Sequence, residues 1–140
     1  MERRFKEGRA AHYQIEARMT NLVSEQTNTF TDPSLPFDIV YHADLFDPIT
    51  LTVYDVKPSV WLANNLQYCL YQLSGYYHFT GARAAAFAQY QKKVDEEIQG
   101  PWFTFVPKEL LTPWETLKAI ALRSDEMLMA QVQESNPETK

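Results

Sequence analysis

Apolar residues recur at helical spacing in the first and middle parts of the chain. Between residues 10 and 26, one side of the predicted helix is charged and the other carries Ile15, Met19, Leu22 and Val23. A longer stripe begins after Pro58 and Ser59, which suit a helix start, and consists of Val60, Ala63, Leu66, Leu70 and Leu73. The pattern predicts two helices, the second ending at Gly75 and the aromatic residues behind it.

Two more helices are predicted in the second half of the chain. The stretch SGYYHFTGARAAAF, residues 74–87, indicates a turn in which Thr80 caps a new helix. The apolar positions of that helix are Ala84, Phe87, Val94 and Ile98, and Gly100-Pro101 ends it. The last helix begins at the T-x-x-E pattern of residues 112–115, in which Thr112 and Glu115 accept hydrogen bonds from free backbone amides.

A period of two in the apolar pattern predicts strands between these helices. Residues 27–36, TNTFTDPSLP, concentrate turn-forming residues and predict a loop. In the run ITLTVYD, Ile49, Leu51 and Val53 alternate with residues of the other face, as in a half-buried strand. We expect this run to pair with FDIVYH as a β-hairpin over residues 37–55, with Asp47-Pro48 near its turn.

These elements predict a mainly α fold, a small bundle of three or four helices with an inserted β-hairpin. The 140 residues suffice for one domain and contain no internal repeat. We therefore expect a single α-helical domain over residues 1–140, with a basic N-terminal arm at 1–9 and a polar tail at 135–140. One core should join the helical stripes, namely Leu66, Leu70, Leu73, Phe87, Val94 and Leu117.

Composition and the length of the apolar runs add three expectations. The aromatic share of 14% is high for a small domain and favours a partner-binding protein. Cys69 is the single cysteine, so it cannot form an internal disulfide, and its apolar surroundings predict a buried thiol. No apolar run is long enough for a membrane span, and no apolar segment follows the basic N-terminus, so we predict neither a span nor export.

The net charge of −5 is unevenly distributed. Residues 19–56 contain no Lys or Arg but six acids, which are Glu25, Asp32, Asp38, Asp44, Asp47 and Asp55. The opposite charge is concentrated in the N-terminal arm. This segregation fits a solvated acidic face beside a basic end, and it also fits complementary patches that bring copies of the chain into register. The acidic balance predicts no specific nucleic-acid binding.

A search for catalytic motifs yields little. The chain has no glycine-rich phosphate loop, nucleophile elbow, H-E-x-x-H or C-x-x-C. His42 and Asp44 lie two residues apart on one face of a predicted strand, and His12 and His78 could join them as metal ligands. Nothing in their spacing requires this, so we favour satisfied or solvent-facing histidines. The three acidic residues 95–97 lie near the C-terminus of a predicted helix, where negative charge opposes the helix dipole. We interpret them as a solvated helix face and not as an acid–base pair. We predict no catalytic, cofactor-binding or metal-binding residue and no enzymatic activity.

Residues 49–98 carry the order of a strand, a proline-led helix with an aromatic end, and a Gly-Ala helix start. The matching residues are Pro58, Tyr77, Phe79, Gly81 and Ala82. In these residues the chain resembles tail-tube adaptor proteins of short-tailed phages and related head-to-tail connectors, over about a third of its length; the segment 101–115 has no counterpart. The resemblance implies a ring-forming structural protein of the virion neck or tail, assembled in the host cytoplasm, which binds the portal and receives tail components.

In such a homo-oligomer, the hairpin and the N-terminal arm would make the inter-subunit contacts, because uncovered strand edges tend to pair with another chain. The candidate interface residues are Arg3, Arg4, Lys6, Arg9, Phe37, Tyr41, Asp44, Phe46, Asp47, Tyr54, Trp61 and Trp102. Two alternatives stay open. One is an accessory structural subunit of a large cellular or organellar complex, and the other is a small metal-dependent or cofactor-free enzyme built on His42 and Asp44.

Overall fold

A computed structural model describes residues 2–19, 23–24, 27–95 and 97–135 of the chain, and the fold is mixed α/β. The first part contains α1 (Glu2–Ala17) and the strands β1 (Val23–Ser24), β2 (Thr27–Phe30), β3 (Ile39–His42), β4 (Leu45–Asp47) and β5 (Thr52–Pro58). The second part contains α2 (Ser59–Asn64), α3 (Leu66–Thr80), β6 (Ala84–Lys92), β7 (Ile98–Val106), a short 3-10 turn (Lys108–Leu110) and α4 (Trp114–Ser135).

Five of these strands form one sheet in the order β1-β4-β5-β6-β7. The β5–β6 pair is parallel and is joined by α2 and α3, as a β-α-β connection requires. The other neighbours in this sheet are antiparallel. Strands β2 and β3 form a separate antiparallel pair. The strand β5 therefore lies in the middle of the main sheet.

Helices cover both faces of that sheet. On one face, Leu62 of α2 and Cys69 and Leu73 of α3 pack against Val53 and Phe87. On the other face, α1 packs against β4, β5, β6 and β7 through a cluster that consists of Ala11, Ile15, Leu45, Val56, Ala88, Tyr90 and Ile98. Consequently β5 and most of β6 are buried on both sides.

The prediction of a mainly α bundle is wrong, and the largest error lies in residues 84–98. This segment is not a helix but the strand β6, a turn and the start of β7. Ala85, Ala86 and Ala88 are buried in β6, whereas Val94 is fully exposed in the turn. A strand covered on both faces is a continuous apolar run, which periodicity cannot distinguish from a buried helix, and the helix propensity of alanine then misleads.

The predicted hairpin over 37–55 has the wrong strand pairing. β3 pairs with β2, inside the segment predicted to be a loop, and β4 pairs with β5. Asp47-Pro48 does lie at the β4–β5 turn, where Asp47 Oδ1 accepts a hydrogen bond from the Ile49 amide at 2.9 Å. The first helix ends at Ala17 rather than near residue 26, and Leu22 lies outside the described residues.

The predicted helix after Pro58 exists, but the chain bends at Asn65 and turns the buried side away from the predicted stripe. Val60 and Leu66 are exposed, while Leu62 and Leu73 are buried, so a single core through Leu66 and Val94 is also wrong. The helix continues through Gly75 to Thr80 because Phe79 packs against the glycine, 3.3 Å from where a Cβ would stand. It ends at Gly81, which adopts a left-handed φ of 67°.

Two local predictions agree with the structure. Cys69 is fully buried. A helix, α4, follows the T-x-x-E pattern, and the amides of Thr116 and Leu117 in its first turn bond to the carbonyl of Pro113. The predicted capping role of Glu115 is wrong, because the Thr112 amide donates to Ser74 Oγ at 2.9 Å and the Glu115 carboxylate contacts Lys118 Nζ at 3.1 Å. Among the helices in the described ranges, none is both long and apolar enough to cross a membrane.

Candidate functional site

The central strand β5 carries two charged residues on one face. Asp55 and Lys57 are separated by one residue, so their side chains point to the same side of the sheet. Asp55 is only 1% exposed, and burial of a carboxylate without hydrogen bonds is costly. No N–H or O–H of the described residues donates to either oxygen of Asp55, and Lys57 Nζ lies 3.5 Å from Oδ1. Both carboxylate oxygens are thus available to a ligand.

The neighbouring strand brings a second carboxylate to Asp55. Leu45 of β4 lies opposite Tyr54 of β5, and the next position along the same register sets Asp44 opposite Asp55. Asp44 Oδ2 accepts a hydrogen bond from the Val56 amide at 2.8 Å, which fixes its side chain. The two carboxyl groups are close enough to share a proton.

The helix α1 adds a histidine and a third carboxylate. His12 and Glu16 are four residues apart and face the same way as the buried Ala11 and Ile15, which anchor the helix. His12 Nε2 lies 3.2 Å from Glu16 Oε1 and 3.2 Å from Asp44 Oδ1. We call the group His12, Glu16, Asp44, Asp55 and Lys57 the carboxylate site. Three distant parts of the chain thus converge on one point.

The pKa values of the carboxyl groups of Asp44 and Asp55 are shifted in opposite directions. Burial, followed by the contact with Asp44, raises the pKa of Asp55 well above its ordinary value, and Lys57 opposes this only in part. Burial also opposes ionisation of Asp44, but hydrogen bonds from His12, Asp55 and the Val56 amide outweigh it and lower the Asp44 pKa. The surroundings therefore favour the ionised form of Asp44 and the protonated form of Asp55.

The residues present fit a divalent cation. His12, Glu16 and Asp44 each offer one ligand atom, and these atoms lie within 4.8 Å of one another. Asp55 adds two buried oxygens that have no hydrogen-bond donor among the described residues. Carboxylate oxygens suit Mg²⁺ and Mn²⁺, and an imidazole in the set favours a transition metal such as Mn²⁺.

A pocket of about 460 Å³ lies between β3, α3 and α4. Its lining includes Gln72 and Tyr76, which are four residues apart on α3; Gln72 Nε2 donates to the Tyr76 hydroxyl at 3.1 Å. Burial and, after it, the negative charges of Asp55 and Asp44 raise the Tyr76 pKa. Tyr76 therefore lines the pocket and also responds to the charges of the two aspartates.

The structure brings together two of the four residues considered for a metal site. His12 and Asp44 are in contact, but His42 is on the exposed side of β3 and lines the pocket instead. His78 Nε2 is hydrogen-bonded at 2.9 Å to the carbonyl of Thr112, a structural contact. Asp95 lies in the turn between β6 and β7 and not on a helix.

Glu16, Asp55 and Lys57 were not recognised as site residues from the sequence. A sequence signal for two of them does exist, because an Asp-x-Lys pair interrupts an otherwise apolar run in β5. Charged residues at two-residue spacing inside a strand that continues on both sides rarely serve packing alone. Glu16 becomes visible only when α1 is known to cross the sheet beside Asp44.

The candidate interface residues are dispersed. Tyr41 and Phe46 pack against the core, and Tyr54 lies edge-on to Phe103 with ring centroids 5.5 Å apart. Phe37 is half-buried in the loop before β3, whereas Trp61 and Trp102 are about half exposed. Arg3, Arg4, Lys6 and Arg9 belong to α1, and their side chains lie outside the described part of the structure.

Comparison with known proteins gives information on the fold alone. No protein-family model matches the chain, and no curated protein is significantly similar to it. The crystal structure of SSO0001 is similar, with a TM-score of 0.58 and 17% sequence identity over 86% of this chain. The chain spans 57% of the length of that protein. At this identity, a shared fold is all that the likeness shows.

Proposed function

We propose that the protein is a divalent-metal-dependent nuclease, a hydrolase of phosphodiester bonds whose active centre is the carboxylate site. The observation that carries this proposal is Asp55, a buried carboxylate with no hydrogen-bond donor among the described residues, next to Asp44 and Lys57. Buried carboxylates without donors are rare in proteins and concentrate at catalytic and metal sites.

The chemistry of the ligand set supports phosphoryl transfer. Mg²⁺ and Mn²⁺ are usually held by one or two carboxylates and complete their coordination with water and substrate phosphate oxygens. Lys57 lies beside the carboxylates and provides a point charge for a phosphate group. His12, Asp44 and Lys57 are each partly open to solvent, so a phosphate can reach them.

Hydrolysis would divide the roles among the residues. His12, Glu16 and Asp44 would hold the cation, with Asp55 beside Asp44 as a further carboxylate ligand. The cation would polarise a phosphoryl oxygen and lower the pKa of a bound water. Lys57 stabilises the negative charge that develops on the phosphate. The water oxygen forms a bond to phosphorus as the ester P–O bond breaks, and a water proton goes to the leaving oxygen.

A nucleic acid is the substrate that best matches the surroundings of the site. Aromatic side chains, among them Tyr71 and Tyr76, line the pocket between β3, α3 and α4, and aromatic faces bind bases by stacking. The net charge of −5 predicted no specific nucleic-acid binding, and that prediction stays untested. Charges beyond about 8 Å are screened at physiological salt, so the local cation and Lys57 matter more than the total charge.

Cleavage of end-labelled DNA and RNA oligonucleotides, single- and double-stranded, tests the proposal. We expect cleavage with Mn²⁺ or Mg²⁺, none with EDTA, and a loss of at least about 100-fold in Asp55→Asn. Asp95→Asn is the matched control, because Asp95 is exposed in a turn, and it should cleave at the wild-type rate. Cleavage that persists in EDTA, or no cleavage under any of these conditions, would contradict the proposal.

The homo-oligomeric head-to-tail connector is a second candidate, favoured by the edge of the main sheet. β7 is an end strand of the sheet, and its Trp102, Phe103 and Phe105 are about half exposed. Such an edge can pair with another copy of the chain. A large discrete mass in native mass spectrometry would support a ring, whereas a monomer at high protein concentration would exclude it.

A further inference from the structure

The second half of β7 forms an exposed edge of the main sheet. β7 is an end strand, and no strand of the described residues pairs with its outer side. Its first half is tied to α1, because Arg18 Nη1 donates to the carbonyls of Ile98 and Gly100 at 2.8 and 3.0 Å. Residues 102–106 pair without interruption with β6 on their inner side. Their outer backbone groups are therefore open to pairing with another strand.

Large apolar side chains of this segment are exposed on both faces of the sheet. Trp102, Phe103 and Phe105 are 47%, 47% and 58% exposed, whereas most of the neighbouring strand β6 is buried. Phe103 and Phe105 lie on one face, where their rings contact Tyr54 with centroids 5.5 and 6.4 Å apart. Trp102 lies on the opposite face, because side chains alternate along a strand. A second strand beside β7 would cover rings on both faces.

The segment lacks charges, which commonly prevent edge strands from associating. No charged residue occurs between Ile98 and Val106, and the irregular pairing at Gly100 and Pro101 affects only the first half of β7. An uncharged strand can lie against a copy of itself without repulsion between like charges. The chain itself is therefore a suitable partner for this edge.

We propose that β7 pairs antiparallel with β7 of a second copy of the chain, around a two-fold axis at Thr104. This register sets Phe103 opposite the partner subunit's Phe105, Trp102 opposite the partner subunit's Val106, and the two threonines opposite each other. Aromatic–aromatic, aromatic–β-branched and Thr–Thr pairs all stabilise antiparallel strands. Both copies use the same surface, so the contact closes on itself and gives a dimer, unlike the ring of the connector candidate.

The size of the exposed patch fits a reversible dimer. An aromatic side chain presents about 150–250 Å², so the exposed fractions of Trp102, Phe103 and Phe105 leave about 300 Å² of ring surface on each copy. Contact between two copies would cover about 600 Å², to which the paired backbones and Tyr54 add. The total lies at or below about 1,200 Å², the lower end for specific complexes. We therefore expect a dimer that dissociates on dilution.

Analytical ultracentrifugation over a dilution series measures this dimer. The wild-type protein should change from monomer to dimer as its concentration rises. Thr104→Lys sets two ammonium groups opposite each other at the axis and should weaken the association at least about 10-fold, as should Thr104→Glu with two carboxylates. A mixture of these two variants should associate again, because opposite charges then meet. Val94→Lys, in the exposed turn between β6 and β7, is the matched control and should dimerise like the wild type.

Disulfide cross-linking tests the register without a charged variant. Residues directly opposite on antiparallel strands have Cα atoms about 4.5–5.5 Å apart, within the span of a disulfide, so Thr104→Cys should form a covalent dimer on mild oxidation. Val94→Cys is fully exposed but should stay monomeric on a non-reducing gel, and the native Cys69 is buried.

Three results would overturn the proposal. They are a wild-type monomer at every concentration, an assembly of any size that Thr104→Lys leaves intact, and equal cross-linking by Thr104→Cys and Val94→Cys. These measurements contain neither metal nor nucleic acid, so a failed nuclease assay leaves their result standing. Metal-dependent cleavage by a protein that stays monomeric would overturn the dimer alone.

Discussion

Two aspartates of this chain, Asp32 and Asp55, have opposite surroundings, which fit a structural role for the first and the proposed chemical role for the second. Asp32 accepts three hydrogen bonds, from the Ser34 amide at 2.8 Å, the Ser34 hydroxyl at 2.7 Å and Trp114 Nε1 at 2.7 Å, and it forms an ion pair with Lys118 Nζ at 3.6 Å. These contacts lower the pKa of Asp32, the hydrogen bonds from Ser34 most strongly. Asp32 thereby fastens the loop before β3 to α4.

Asp55 is more deeply buried than Asp32, but among the described residues the contact of this kind that it makes is the ion pair with Lys57 Nζ at 3.5 Å. The described residues donate no hydrogen bond to it, and burial beside Asp44 raises its pKa. A carboxylate that serves only structure is satisfied by its own chain, as Asp32 is. One whose oxygens stay unsatisfied implies a partner that comes from outside the chain. We infer that Asp32 holds the fold and that Asp55 binds a metal.

The exchange of Asp for Asn separates these two roles most strongly. Asp55→Asn keeps the shape of the side chain but removes the charge, so cleavage should fall at least about 100-fold while the protein stays folded. Asp32→Asn should lower the midpoint of thermal unfolding, because it weakens the links to Ser34, Trp114 and Lys118. Oligonucleotide cleavage and thermal denaturation of both variants check this. If Asp55→Asn cleaves at the wild-type rate, Asp55 has no role in catalysis and the two aspartates do not differ in this way.

Metal addition should stabilise the folded protein through Asp55. Mn²⁺ at 100 times its dissociation constant raises the free energy of unfolding by about 2.7 kcal/mol, because it binds the folded state alone. Chemical denaturation with Mn²⁺ and then with EDTA measures this gain. Asp32→Asn should retain the gain and Asp55→Asn should lose it; an equal gain in both would place the cation elsewhere.

The lysines that accompany the two aspartates should differ in the same way. Lys57→Met should reduce the cleavage rate about 10-fold or more while Mn²⁺ still binds, because Lys57 acts on the phosphate and is not a metal ligand. Lys118→Met, beside Asp32, should leave the cleavage rate unchanged. Single-turnover rates at saturating Mn²⁺ test this pair. A wild-type rate in Lys57→Met would remove the lysine from the mechanism.

The sequence predicts local features of this fold better than its long-range pairing. The turn at Asp47-Pro48, the burial of Cys69 and the start of α4 depend on residues close in the chain. The strand pairing does not: Ala85 and Phe87 became strand residues because β5 and two helix layers surround them. Alanine-rich runs leave that choice to tertiary context.

For the same reason, the sequence predicts only part of the candidate site. Asp44 and His12 were considered as ligands, but the contact that joins them depends on how α1 crosses the sheet. Asp55 and Lys57 carried a local signal, the charged pair within an apolar strand. Their meaning required knowledge that β5 is buried on both faces, because a charge on an edge or exposed strand needs no explanation.

A smaller effect concerns the pH dependence of the metal-free protein. The raised pKa of Asp55 means that its contribution to stability is full below the unfolded pKa of about 3.9 and is lost as the pH rises through the folded value. The lowered pKa of Asp32 acts in the opposite sense, and its contribution is lost as the pH falls below about 3.9. In EDTA at neutral pH, Asp55→Asn should therefore raise the free energy of unfolding. Urea denaturation from pH 4 to 8 measures it, and a destabilised Asp55→Asn would contradict this sign.

Direct titration with Mn²⁺, followed by the electron paramagnetic resonance signal of the free ion, tests the central claim most closely. The wild-type protein and Asp32→Asn should remove Mn²⁺ from solution in a saturable manner, because both retain the clustered ligands His12, Glu16 and Asp44 and the neighbouring Asp55. Asp55→Asn should bind at least 10-fold more weakly. Absence of Mn²⁺ binding by the wild-type protein, or equal binding by Asp55→Asn, would contradict the assignment of the carboxylate site as a metal centre.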